Sequence, residues 1–472
     1  MNKILSVALG LSLLVAAALV YGAVRYAQVE SVDIGQPLHT AAHAAIPAEK
    51  LGNSFYCGHC HTQIFQEWSA SLHRFSSHNN PVYRRVTEVI RERGNPKHLR
   101  FCARCHEPMM LAAGADLAAA PNDWVANAGL TCVSCHRITE VRGGNGEYVL
   151  KEPILHPFAV TESPVLQWVH GALVNAFPRL HREVLTQDFY ASAEYCRSCH
   201  SVTVPKAVNG VADVVLQDEY EQWRHSAFAS GADGHPQKDC KDCHMPLVAS
   251  EDPAAKDGLI RSHRFAAGNT ALPRFNRDFE QAEAADAFLR DGRVGVEIVG
   301  AEQTADALKL DIRVTSRDIG HAFPAGTADS NQAWLEILAQ DRNGAAIAHQ
   351  GALDADRRID KDAVTFGIDY ANADGAQTDR RNTTTQAVSI LRDTRLGPGE
   401  RRRLNIAVPL PPDLLYPLTI EARLNWRKYA PELIAWVFEG RPAPEIPITV
   451  MSSDRFVFSN QPIEASREAS FP

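Results

Sequence analysis

The chain has 472 residues, 45% of them hydrophobic and 22% charged, with a formal net charge of −8. That length allows two or three domains and argues against one compact core. The acidic balance excludes the basic stripe that a nucleic-acid partner would need.

Residues 4–24 form an uninterrupted apolar run, "ILSVALGLSLLVAAALVYGAV", behind Lys3. As a helix it would reach roughly 30 Å, the thickness of a bilayer core. It is longer than the apolar part of an ordinary signal peptide, and Tyr21-Gly22-Ala23 is a poor cleavage site. The expectation is an N-terminal membrane anchor over 1–28, with the rest of the chain on the periplasmic side of the cytoplasmic membrane. A cleaved signal that releases the chain into the periplasm is the alternative. Residues 29–50 contain Ala and Pro without a clear period and read as a linker.

Ten cysteines in an exported chain suggest a disulfide framework. Their spacing rejects it. All ten fall into five C-x-x-C pairs, Cys57/Cys60, Cys102/Cys105, Cys132/Cys135, Cys196/Cys199 and Cys240/Cys243. Each pair is followed at once by a histidine: His61, His106, His136, His200 and His244. On a helical turn, residues i and i+3 share a face, so two thiols can form thioethers to one porphyrin edge while the next imidazole turns to the iron. C-x-x-C pairs also hold zinc, but zinc needs no histidine after every pair and usually joins two pairs in one tetrahedral site. The reading is five covalently bound haem c groups in a domain over 51–289. With so little chain per haem, the macrocycles must supply much of the interior and pack against one another.

Fourteen further histidines could supply second axial ligands. His73, His78, His156 and His263 are the leading candidates, from their position just after a motif or beside proline. His170, His181, His225 and His321 are further candidates, and His98 is a weaker one. His59, inside its own motif, cannot reach the same iron. Of the methionines near motifs, Met245 directly follows a motif histidine.

The segment Trp68, Ser71, His73, followed by "GLTCVSCH" at 129–136 and "EYCRSCH" at 194–200, resembles multihaem cytochromes c of the family that includes the tetrahaem electron acceptor of hydroxylamine oxidoreductase and the haem core of that enzyme. The resemblance spans roughly 55–273. It implies that His73 serves the third motif's iron, His156 the fourth's, and a late histidine such as His263 the first's, while the second motif's iron can lack a protein ligand. A second tryptophan segment, "EYEQWRHSAF", sets Phe228 where the first has His73. The fifth haem has no counterpart in the tetrahaem members.

Beyond the cysteines, residues 275–289 have helical spacing. Seven segments of period two follow, beginning at 294, 307, 333, 345, 402, 418 and 446, with a hairpin signal at Asp341–Gly344. They predict an antiparallel, Ig-like β-sandwich over 290–453 and a flexible tail over 454–472. The fold class is therefore α+β: a helical, loop-rich domain packed around haems, then a β-sandwich. His321, in "GHAFP", could be a loop histidine that this domain presents to a haem.

The expected function is electron transport through closely packed haems, between a redox partner in or at the membrane, quinol-linked or soluble, and another redox protein. The alternative is an oxidoreductase acting on a small nitrogen or sulfur compound at one five-coordinate haem. The second motif is the candidate for it, with His98, Arg100 or Arg104 nearby. Catalytic residues, if any, and oligomeric state are not legible.

Overall fold

The computed structural model describes residues 30–36, 46–48, 51, 54–119, 124–153, 158, 161, 163–232, 234–378 and 383–459. The apolar run at 4–24, most of the expected linker and the candidate ligand His156 lie outside the described residues. Among the described residues no helix is long and apolar enough to cross a membrane.

The cysteine-bearing part is built from short helices. The first are α1 (Thr62–Ala70), α2 (Pro81–Glu92) and α3 (Pro96–His106). Asn80-Pro81 and Asn95-Pro96 start the last two in the same way. Each asparagine side chain accepts from a first-turn amide, Val82 N at 3.0 Å or His98 N at 3.3 Å, and each proline occupies the first turn, where its missing N–H costs nothing. Two further helices, α4 (Pro164–Ala176) and α5 (Pro178–Leu185), precede the fourth motif, and α6 (Glu219–Arg224) precedes the fifth. Three small antiparallel sheets join these helices, one of them pairing Tyr148–Lys151 with both Ser31–Asp33 and Ile138–Val141. A local apolar core gathers Met109, Met110, Tyr148 and Leu150, all fully buried. The two methionines thus fill space in that core.

One close approach holds the start of this region to the third motif. The Trp68 indole N–H donates to Leu130 O at 2.7 Å, and Leu130 N donates to His73 O at 2.8 Å. Gly129 lies at the crossing with φ +64°, and a Cβ there would stand 2.0 Å from Arg74 O. Only glycine satisfies both the left-handed backbone and the contact.

After α7 (Phe279–Arg290), the chain forms eight main strands in two facing antiparallel sheets. They are β1 (Val294–Gln303), β2 (Ala307–Ser316), β3 (Gln332–Gln340), β4 (Ala346–Gln350), β5 (Thr365–Phe366), β6 (Arg401–Pro409), β7 (Leu418–Arg427) and β8 (Thr449–Phe458). One sheet has the order β6-β2-β1, the other β4-β3-β7-β8, with β5 also on β3. Alternate residues point inward, as period two requires. Ile298, Leu310 and Ile312 from one sheet meet Leu335, Ile337, Ile420 and Leu424 from the other in a single core. Burial of each such side chain contributes roughly 1.5–3 kcal/mol. The turn at Asp341 joins β3 to β4, as its sequence predicts. The last strand runs to Phe458, past the expected sandwich end at 453. A small hairpin, Ile368–Ala371 with Ser389–Asp393, and the helix Pro431–Val437 have no counterpart in the sequence reading.

Two of the contacts that dock the sandwich on the cysteine-bearing part bear on the site. The Trp426 indole donates to Gly268 O at 2.7 Å. The loop between β2 and β3 reaches α6, where Gly326 N donates to Glu219 Oε1 at 2.7 Å. The other oxygen of Glu219 is buried without a hydrogen-bond partner among the described residues.

Two outcomes are expected. Gly129→Ala, which needs a positive φ and a backbone shift, destabilises the protein by about 2 kcal/mol or more, read by denaturant unfolding of the holoprotein. Burial pushes the Glu219 carboxyl up to about 7, so the folded state binds its proton more tightly than the unfolded chain. Its stabilising contribution is complete below about pH 4.5 and is lost as pH rises through 7, by roughly 1–3 kcal/mol. Glu219→Gln flattens that fall in unfolding free energy between pH 5 and 8, while an unchanged slope would show that Glu219 is not its source.

Candidate functional site

Four of the five cysteine-histidine motifs end a helix on their histidine: α3, Cys132–His136, Glu194–His200 and Cys240–His244. In two of them the residue before the first cysteine is the cap. The Thr131 hydroxyl accepts from Ser134 N at 3.0 Å. Asp239 accepts from Lys241 N at 2.8 Å, and its own amide donates to Asp242 Oδ2 at 2.9 Å. These caps hold both cysteines of a pair on one helical face.

The first motif departs from this pattern at Cys60. Cys60 is exposed, while the other nine cysteines are partly buried. The reason is local. The helix Ser54–Gly58 carries Cys57 but ends before Cys60, which lies in the turn leading to α1. The turn still closes as the motif requires, with Cys60 N donating to Cys57 O at 3.3 Å and His61 N to the same oxygen at 2.9 Å.

Cysteine side chains of different motifs lie close together. Cys57 lies beside Cys132, Cys105 beside Cys199, and Cys196 beside Cys240. Cys135 and Cys199 are also close enough to interact electrostatically. The five motifs therefore form one connected set, with the fourth touching the second, third and fifth.

Four motif histidines each face a second imidazole. Ring centroids are 6.2 Å apart for His61 and His181, 6.3 Å for His73 and His200, 6.4 Å for His136 and His263, and 6.3 Å for His244 and His321. Stacked rings in van der Waals contact would lie closer. A ligating imidazole nitrogen sits about 2 Å from its metal, and the ring centre about 1 Å further, so two imidazoles across one iron have centroids roughly 6 Å apart. The four spacings fit that arrangement.

The outer ring nitrogens are consistent with it. Nδ1–H donates to Asp252 Oδ1 from His61 (2.8 Å), to Ser76 O from His106 (2.7 Å), to Leu185 O from His136 (2.9 Å) and to Ala266 O from His244 (2.9 Å). On the facing side, His263 Nδ1–H donates to Arg261 O and His321 Nδ1–H to Ala322 O, both at 2.9 Å. Each such bond fixes the tautomer and leaves Nε2 for a metal. Burial pushes His73 down to about 3 and His244 and His263 down to about 4, which keeps their imidazoles neutral and able to ligate.

The partners differ from those the family resemblance implies. The His73 backbone does lie against the third motif, through Leu130, but its ring faces His200 of the fourth. Sequence position marks where the backbone goes and does not give the direction of the side chain. His263 faces the third motif, and His181, from α5, faces the first. Among the described residues, the remaining candidates face no motif histidine. His78 is buried and bound to Arg91 Nη2 at 2.7 Å and Glu107 Oε1 at 3.0 Å. His98 Nε2 donates to Val208 O at 2.7 Å, and His170 is hydrogen-bonded to the Tyr56 hydroxyl. His225 is exposed and lines a surface cavity with His235 and Arg317.

The second motif is different. No histidine among the described residues faces His106, and the Tyr83 ring lies nearly parallel to it, with centroids 4.5 Å apart. The Tyr83 hydroxyl donates to Glu107 Oε2 at 3.0 Å, which ties it to the His78 network. Arg104 donates to the backbone carbonyls of Gly35 and Asn145.

The two tryptophan segments are structural counterparts. The Trp68 indole donates to the carbonyl two residues before Cys132, and the Trp223 indole to Lys238 O, two residues before Cys240, at 2.8 Å. Ser71 N and Ser226 N each donate to their tryptophan's carbonyl at 2.9 Å. Phe228 stands where the first segment has His73. The facing imidazole of the fifth motif comes instead from the sandwich, where Gly320, next to His321, is so close to Trp223 that a Cβ would be 3.0 Å from its ring.

Residues 56–137, which include the first three motifs, match the family model described as cytochrome c554 and c-prime. Among solved structures, a penta-heme cytochrome c552 from Thermochromatium tepidum superposes with a TM-score of 0.59 at 18% identity, over 88% of this chain and 100% of that chain. At that identity the likeness shows a shared fold. A structural-genomics target at 9% identity has a TM-score of 0.14 over 38% of this chain and 93% of that one, too remote to bear on the fold. None of the curated proteins matches the chain. Residues 56–137 thus resemble cytochrome c554 and c-prime, and the chain shares the fold of a penta-heme cytochrome.

Proposed function

We propose that the chain is an exported pentahaem cytochrome c that passes electrons between a redox partner in or at the membrane and a second redox protein. The four opposed histidine pairs carry this reading. The five cysteine pairs tether five haems; His61 and His181 hold the first iron, His136 and His263 the third, His200 and His73 the fourth, and His244 and His321 the fifth. Haem c, when bound, supplies one-electron chemistry at its iron. Two imidazoles per iron leave no position for a substrate at these four motifs, which suits transfer of electrons alone. The closeness of the fourth motif's cysteines to those of the second, third and fifth supports a continuous series with the fourth at its junction. The apolar run at 4–24 supports a membrane tether on the periplasmic side.

The second motif favours another reading. His106 faces no histidine among the described residues, so this site could take a small nitrogen or sulfur compound, making the protein a reductase or oxidase. His98 and Arg104 are held by backbone carbonyls, which speaks against their serving as proton donor or anion clamp.

Electron paramagnetic resonance of the oxidised holoprotein separates the two. The carrier reading expects low-spin signals that nitrite and hydroxylamine leave unchanged, while a high-spin signal that shifts on addition would favour the enzyme. His321→Ala is expected to convert one low-spin centre to high spin and spare the others; a spectrum with every low-spin signal intact would refute the fifth pair.

A further inference from the structure

One motif histidine differs from its counterparts in what it donates to. His106, His136 and His244 give their Nδ1–H to neutral backbone carbonyls, whereas His61 gives its to a carboxylate, Asp252, at 2.8 Å. The Asp252 side chain is only 1% exposed. Its second oxygen is buried without a hydrogen-bond partner, and no lysine or arginine among the described residues pairs with it. Asp252 sits in the turn between the strands Leu247–Ala249 and Leu259–Arg261, where Oδ1 also accepts from Ala254 N at 2.9 Å. Nearby, Glu67 is buried and accepts from Ser262 Oγ at 2.8 Å and His263 N at 2.6 Å, again with no cation paired to it among the described residues.

The other end of the series is balanced. Arg293 lies over Phe288, which packs on His244, and is paired with Asp291 at 2.8 Å. Arg395 is paired with Asp393 at 2.8 Å and Asp218 at 3.5 Å.

A carboxylate on the outer nitrogen of a ligating imidazole draws its proton, makes the ring a stronger donor and favours the more positive oxidation state of the metal. In a dry site an unneutralised negative charge acts in the same direction and is screened little. We infer that Asp252, acting through the Nδ1–H of His61, makes the first haem the low-potential end of the series. Asp252 is a positioning residue that acts on the iron through its ligand, and Glu67 adds to the same field from the His263 side.

This rests on the axial pairing proposed above, so the test separates the two. Spectropotentiometry with electron paramagnetic resonance is run on the holoprotein as wild type, Asp252→Asn and His181→Ala. Asparagine keeps the Oδ1 that serves His61 and Ala254 and removes only the charge; unchanged haem content and melting temperature show that the fold is kept. The low-spin signal that His181→Ala abolishes identifies the first haem. In the wild type that signal is expected at the lowest potential of the set, and in Asp252→Asn it shifts upward by more than any other. An unshifted signal, or a first haem that is reduced before the fifth, overturns the inference. If His181→Ala abolishes no low-spin signal, the His61–His181 pair itself is wrong and the inference falls with it.

Discussion

The proposed arrangement depends on pairs of imidazoles whose ring centroids stand 6.2–6.4 Å apart, a separation that an intervening metal would fit. Contact between the rings would draw them closer, and solvent would let them drift apart. The four pairs are drawn from distant parts of the chain, and on the proposed ligation each would act as a long-range cross-link. The surrounding protein has two tasks: to aim each Nε2 inward by engaging Nδ1 from behind, and to exclude water so that the rings stay neutral. Backbone carbonyls perform the first task at several histidines, and short helices with small local cores perform the second.

The two tryptophan segments show how this scheme extends to a fifth motif. Trp68 and Trp223 each anchor the loop before a cysteine pair through the same indole-to-carbonyl bond. In the first segment the residue five places on is a histidine that reaches a neighbouring motif; in the second it is Phe228. The sandwich supplies the missing imidazole through the loop that carries Gly320 and His321. The sandwich is therefore part of the site. Its docking contacts, through Trp426 and Glu219, hold that loop in place.

The five attachment motifs, the α+β class and most sandwich strands were legible because each rests on local spacing: three residues between thiols, two between inward-facing side chains. Spacing does not tell where a helix stops, so the end of Ser54–Gly58 before Cys60 was not legible. The facing histidines were hidden too. His73 and His263 stood out as candidates because they follow motifs, but the rings they face depend on side-chain direction, which sequence position does not encode. His181 looked no better than its neighbour His170, and only the packing of α5 sets it against His61. His78 resembled a ligand because it lies near the first motif; its buried pairing with Glu107 and Arg91 involves residues thirteen and more positions away. The small sheets between motifs escaped notice since strands of three or four residues have too few positions to show a period.

The position of His321 also bears on the order in which the molecule is completed. The ring that faces His244 belongs to a loop between strands of a separate β-sheet core, C-terminal to every cysteine. Local folding around the first four motifs can proceed with residues supplied by the cysteine-bearing region itself. Closure of the fifth must wait until the sandwich has formed and docked. On the proposed ligation, maturation would therefore finish at one end, and a chain whose sandwich failed to fold would carry a single, spectroscopically visible defect at that end.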